Sequence, residues 1–79
     1  MGKNHIAIIL ALYLKGEMIF TEIRRLVKGG YDYAEGLLYD LKRWGLVTET
    51  RAGRKRVFKL TARGRALAEA FREAVPGSV

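Results

Sequence analysis

With 79 residues, 49% of them apolar, the chain has room for one small domain and is too apolar to remain unfolded. It has no cysteine, which excludes a disulfide framework, a zinc–thiolate site and a thiol nucleophile. The net charge of +7 has one source: Arg51, Arg54, Lys55, Arg56, Lys59, Arg63 and Arg65 crowd one stretch without an acid, while the rest of the chain balances eight basic against eight acidic side chains. Positive potential fixed over one patch attracts polyanions.

The longest apolar run, Ile6 to Leu14, covers nine residues, against about 20 needed to cross a bilayer. Lys15-Gly16-Glu17 follows it with no small-residue cleavage site, so neither a membrane span nor a signal peptide is predicted, and the expected location is cytoplasmic. Asn4 is the only Asn and Gln is absent, a depletion that fits a thermophilic source.

In chain order, Asn4 to Leu14 reads as a helix with Asn4 as its cap. It is apolar on every face, and a domain this small cannot surround a helix, so one side is expected to meet a second chain. Gly16 ends it, and Met18-Ile19-Phe20 forms a short extended piece. Thr21, with an acid directly after it, opens a second helix that turns Ile23, Leu26 and Val27 inward and Glu22, Arg24, Arg25 and Lys28 outward. Gly29-Gly30 breaks that helix. Asp32 then caps a third helix running to about Trp44, with Ala34, Leu37, Leu38 and Leu41 as its inner stripe and Gly45 as its stop.

After Gly45 the hydrophobic period changes from that of a helix to that of a strand. Leu46–Arg51 and Arg56–Leu60 pair as a hairpin around Ala52-Gly53. Trp44 is placed at the base of the third helix, against this hairpin. Thr61 caps a fourth helix to about Val75, apolar at Ala66, Leu67, Ala70, Phe71 and Ala74, and Pro76-Gly77 stops it. Two helices joined by a short glycine turn have the form of a helix-turn-helix.

Two segments carry a closer likeness. Leu38-x-x-Leu41-x-x-x-Gly45-Leu46-Val47 resembles the end of the recognition helix and first wing strand of winged-helix regulators. Leu60-Thr61-Ala62-Arg63-Gly64-Arg65-Ala66-Leu67 is similar to the stretch after the wing in MarR- and ArsR/PadR-like repressors. The resemblance spans roughly residues 6 to 74. It implies an α+β, mostly α, winged helix-turn-helix: one domain over residues 1–79, with the helix-turn-helix at about 21–45, the wing at about 46–60 and the last helix at about 61–75. It also implies double-stranded DNA as partner and a homodimer that regulates transcription. The cysteine or histidine metal sensors of some ArsR proteins are missing.

In such a fold the third helix enters the major groove and the wing reaches the backbone or minor groove. The third helix then presents Tyr33, Gly36, Tyr39 and Arg43 as DNA contacts, Gly36 either admitting base edges or serving close helix packing. Asp32, Glu35 and Asp40 share that face and oppose phosphate, although Asp40 can pair with Lys42 or Arg43. The wing presents Arg51, Arg54, Lys55 and Arg56, which are expected to radiate outward, with Arg63 and Arg65 extending the patch and Lys59 on the outer strand face. The first helix (Ile6, Ile9, Leu10, Tyr13) and the last (Leu67, Ala70, Phe71, Ala74) are expected to form the dimer contact.

His5, the single histidine, lies at the frayed start of the first helix, where a metal or catalytic role is not expected. No cofactor, metal or small-molecule ligand is predicted, and no phosphate loop, paired-acid cleft or nucleophile–base spacing indicates an enzyme. Two other readings stay open: a winged-helix assembly module, which suits the acids of the third helix, and a non-specific RNA or chromosomal binder.

Overall fold

The structure is a computed structural model and describes residues 1–74. Its elements run α1 (Lys3–Lys15), β1 (Glu17–Ile19), α2 (Phe20–Val27), α3 (Tyr31–Arg43), β2 (Val47–Ala52), β3 (Lys55–Leu60) and α4 (Ala62–Ala74). This is the winged-helix order, with an antiparallel sheet arranged β1-β3-β2. The stop expected at Pro76-Gly77 lies outside the described residues.

The helix starts differ from expectation, for one reason in each case. At α1 the N-cap is Gly2, whose N–H donates to His5 Nδ1 at 3.0 Å, so His5 serves the helix end and Asn4 does not. At α2 the cap is Ile19, whose N–H is accepted by Glu22 Oε1 at 3.0 Å. The acid after Thr21 reaches back over the first turn, and Thr21 lies inside the helix. That N–H, followed by Lys15, holds the Glu22 carboxyl below its ordinary pKa. At α3 the cap is Gly30, and Asp32 sits one residue inside, where a carboxylate still favours the positive helix end.

Gly45 ends α3 as expected. At φ +73° it lets its own N–H bond Lys42 O (3.0 Å) and the Leu46 N–H bond Leu41 O (3.0 Å), a Schellman closure that turns Leu46 into the core. The hairpin turn is Gly53-Arg54, one residue later than expected. Gly53 takes the positive φ (+64°) that a two-residue turn demands at its first central position, leaving Ala52 paired with Lys55.

Phe58, Ile8, Ile9, Leu12, Ile23, Leu38 and Leu41 are the large side chains fully buried at the centre. The inner stripe of α3 is buried throughout, whereas Leu26, expected inside, is 40% exposed because α2 is too short to turn it under the sheet. The apolar α1 is covered on one side within this chain: Ile8, Ile9 and Leu12 face α2, α3, α4 and β3, Ile6, Leu10 and Tyr13 are half-buried, and Leu14 at its end is exposed. No helix among the described residues is long and apolar enough to cross a membrane.

The stretch around Thr61 forms a joint. Thr61 N–H bonds Leu46 O (3.0 Å), its hydroxyl donates to Gly45 O (2.7 Å), and Gly64 N–H bonds Thr61 Oγ1 (3.0 Å). Gly64 is buried directly on the Leu46 carbonyl, and a Cβ there would overlap that oxygen. Gly64→Ala is therefore expected to lower unfolding free energy by about 1–3 kcal/mol through overpacking, despite the better helix propensity of Ala. Urea denaturation checks this; a variant as stable as the wild type would contradict the joint.

Candidate nucleic-acid interface

The outer face of α3 and the wing are joined by an ion-pair network centred on Arg56. Its guanidinium forks Glu35 of α3, Nη1 to Oε2 at 2.9 Å and Nη2 to Oε1 at 2.8 Å. Its Nε and Nη2 bond Glu49 of β2 at 2.6 and 3.1 Å. Lys42 of α3 closes the network on Glu49 at 2.8 Å. The Arg56 carbon Cζ lies 4.7 Å from the Phe20 ring centre and 5.4 Å from that of Phe58, so the cation rests on aromatic faces where α2 begins and β3 crosses the core.

Charge-assisted, bidentate bonds of this kind are among the strong ones. Arg56 first, then Lys42, brings the Glu49 carboxyl down to about 2, and Arg56 holds Glu35 below its ordinary value as well. The guanidinium is driven further into its charged range by Glu49 and then Glu35. The expected role of Arg56 as an outward wing cation is thus corrected: the clamp consumes it.

The same pairing changes the electrostatics of α3. Glu35 is neutralised by Arg56, and Asp40 is held by His5 Nε2 (2.9 Å) and more loosely by Arg43 (3.8 Å). Asp32 alone of the three acids has no ion-pair partner among the described residues. Elsewhere on this face Tyr33 is 43% and Tyr39 63% exposed, and a Cβ on Gly36 would meet nothing within 4 Å, which removes the close-packing reading of that glycine. Arg43 is exposed, its guanidinium 5.9 Å from the Tyr39 ring centre.

On the wing, Arg51, Arg54 and Lys55 are exposed and have no acidic partner among the described residues. The register pairs Arg51 with Arg56, so both point to the α3 side of the sheet, while Arg54 stands in the turn. Lys59 lies on the opposite face, 3.4 Å from Glu17. Arg63 and Arg65 are exposed, but Arg63 sits beside Gly45 at the base of the wing, about 17 Å of strand away from the turn.

Sequence reasoning passed over a second cationic group. Arg24, Arg25 and Lys28 on the outer side of α2 are exposed and unpaired among the described residues, bordering a groove with Thr21 and Gly30. The signal was available, since Glu22 is the only acid in that helix and it is occupied by the Ile19 N–H and Lys15.

The expected dimer residues are divided. Ile9 is fully buried in this chain's own core, so it is withdrawn from the dimer face. Tyr13 packs on α4, its hydroxyl bonding Glu69 (3.2 Å) and its ring facing Arg72. Ile6, Leu10, Leu67 and Phe71 are half-buried, and Ala66, Ala70 and Ala74 form an exposed strip on α4. Trp44 is half-buried, its ring 5.0 Å from that of His5 on α1, and it borders a groove with Leu46 and with Ala66, Leu67 and Ala70 of α4. His5 is far from frayed: its side chain is 13% exposed and bridges α1 to α3. No group of three or more metal-ligating side chains occurs among the described residues.

The architecture is that of known transcription regulators. The chain is similar to NadR, crystallised in complex with 4-hydroxyphenylacetate, at 26% identity and TM-score 0.86 over 92% of this chain and 54% of that one. It is similar to the MarR family transcriptional regulator SPO1453 from Silicibacter pomeroyi DSS-3, at 27% identity and TM-score 0.78 over 90% and 52%. In fold it is also similar to MepR, a transcription regulator of the Staphylococcus aureus multidrug efflux pump MepA, at 21% identity and TM-score 0.86 over 92% and 56%. The chain spans about half the length of these proteins. No family model and no curated protein sequence matches it. The fold is therefore a winged helix-turn-helix of the MarR-like form.

The clamp has an acid signature. With its pKa brought from 4.5 to about 2, Glu49 contributes stability that is present above pH about 4.5 and lost as pH falls toward 2. Arg56→Met is expected to lower stability at neutral pH by about 1–3 kcal/mol and to flatten the fall between pH 5 and 2, because Glu49 loses its main partner. Denaturation across that range reads both effects; an unchanged pH slope would contradict the clamp.

Proposed function

We propose that this chain is a DNA-binding regulator of transcription that acts as a homodimer. The observation that carries the reading is the charge balance of one continuous face. Intramolecular pairing neutralises Glu35 on α3 and Asp40 is hydrogen-bonded by His5 with Arg43 close by, whereas Arg51, Arg54 and Lys55 of the clamped wing keep their charge free for an external polyanion.

In this reading α3 enters the major groove with Tyr33, Gly36, Tyr39 and Arg43 toward base edges and flanking backbone. Gly36 lets the helix approach without a side chain in the way. Arg51, Arg54 and Lys55 bind phosphate or the minor groove, with Arg63 supporting the backbone from the wing base. Arg24, Arg25 and Lys28 suit the crossing of a second phosphate row by α2, since the first helix of a helix-turn-helix lies across the backbone. The transcription regulators that share the fold support the reading.

For the dimer, the α4 strip of Ala66, Ala70 and Ala74, with Leu67, Phe71, Leu10, Ile6 and Tyr13 around it, is the apolar surface available to a second copy. Sedimentation is expected to give a dimer at micromolar concentration and a monomer for Ala70→Glu; a monomeric wild type would remove the dimer from the proposal.

The wing is tested by Arg51→Ala, Arg54→Ala and Lys55→Ala together, leaving Arg56 in place. Loss of three phosphate contacts is expected to reduce the slope of log K against log salt by about 2–3 without changing the melting temperature. A triple variant with the wild-type slope on duplex DNA would contradict the role of the wing.

A further inference from the structure

Asn4 stands in the first turn of α1, yet its side chain leaves that helix. Its Nδ2 donates to the hydroxyl oxygen of Tyr33 on α3 at 2.7 Å, across 29 residues of sequence. The Tyr33 ring is seated from the other side on Gly29, where a Cβ would overlap the ring carbons. With the ring fixed and the oxygen accepting from Asn4, the freedom left to Tyr33 is the direction of its own O–H. That hydrogen cannot point at the donating amide, so it turns away from Asn4.

The hydroxyl borders a groove of about 570 Å³ between the start of α1 and the outer face of α3, lined by Lys3, Asn4, Asp32, Tyr33, Gly36 and Tyr39 among others. Gly36 leaves space over the helix there, since a Cβ would meet no atom within 4 Å. Lys3 is exposed, has no ion-pair partner among the described residues, and lines the same groove as Asp32 and Tyr33. A neutral donor aimed outward, with an ammonium near it, is the chemistry that binds a non-bridging phosphate oxygen.

We infer that Asn4 is a positioning residue: it presets the Tyr33 hydroxyl as a donor to a DNA backbone phosphate and, with Lys3, extends the interface from α3 onto α1. The inference rests on the duplex-DNA reading above. A phenol already held in place gives up little rotational freedom on binding, so its hydrogen bond counts more fully toward affinity.

The test is a double-mutant cycle on Asn4→Ala and Tyr33→Phe, with a short labelled duplex as probe and thermal melting as the control for folding. Both side chains are at the surface, so both variants are expected to melt as the wild type does. Tyr33→Phe is expected to weaken binding about fivefold with an unchanged salt slope, because a neutral donor displaces no counterion. Asn4→Ala is expected to weaken binding about threefold in the wild type and not at all in the Tyr33→Phe background. Equal affinity of Asn4→Ala and wild type, or an Asn4 effect that persists without the hydroxyl, overturns the inference and leaves the DNA reading standing. A wild type that fails to bind the duplex overturns both.

Discussion

Arg56 is the point on which the geometry of the proposed binding face depends. Five hydrogen-bond donors in a rigid plane let one guanidinium hold Glu35 on α3 and Glu49 on β2 at once, while its flat faces lie near Phe20 and Phe58. A lysine could not do this, having one charge centre and no planar fork. Beyond Val57, where β1 stops pairing with β3, the hairpin is a two-stranded arm, and Arg56 stands at its root. With the clamp in place, the strands and the third helix present one surface, and a nucleic acid that contacts both need not order them first.

The clamp also sorts the charges. It turns two acids and one cation of the outer surface into an internal network with Lys42, and leaves three cations near the wing turn without acidic partners. A second network works at the other edge of α3, where His5 holds Asp40 and stacks toward Trp44. Two of the three carboxylates that count against an anion-binding helix are thus the means by which that helix is fixed to its neighbours. Behind them, the Thr61–Gly64 joint docks α4 on the Leu46 carbonyl. This explains in local terms why a threonine and a glycine stand three residues apart after the wing: one caps the helix, and the other lets the helix touch a backbone.

Much of this was legible in the residues. The change of period after Gly45, the buried stripe of α3 and the Thr61 cap each follow from short-range rules, and the order of elements followed from them. The clamp was not legible, because Arg56 sits in a run without acids and finds its partners 7 and 21 residues upstream, brought near only by the fold. The same holds for His5 with Asp40 and Asn4 with Tyr33, pairs 35 and 29 residues apart. Leu26 misled for the opposite reason: its helical spacing fits an inner face, but α2 has only eight residues and leaves that edge uncovered. For the apolar α1, β3 and the other helices of the same chain bury Ile8, Ile9 and Leu12, while Ile6, Leu10 and Tyr13 stay half-buried at the surface.

The most direct test of the clamped wing and third helix as one DNA-binding face is a map of backbone amide and arginine side-chain resonances as duplex DNA is added to the ¹⁵N-labelled protein. The largest shifts are expected on the outer face of α3, from Tyr33 to Arg43, and on Arg51, Arg54 and Lys55, while the Arg56 Nε–H signal keeps its position because its partners are internal. Shifts confined to the α4 strip, or an Arg56 signal that moves with the wing cations, would contradict it.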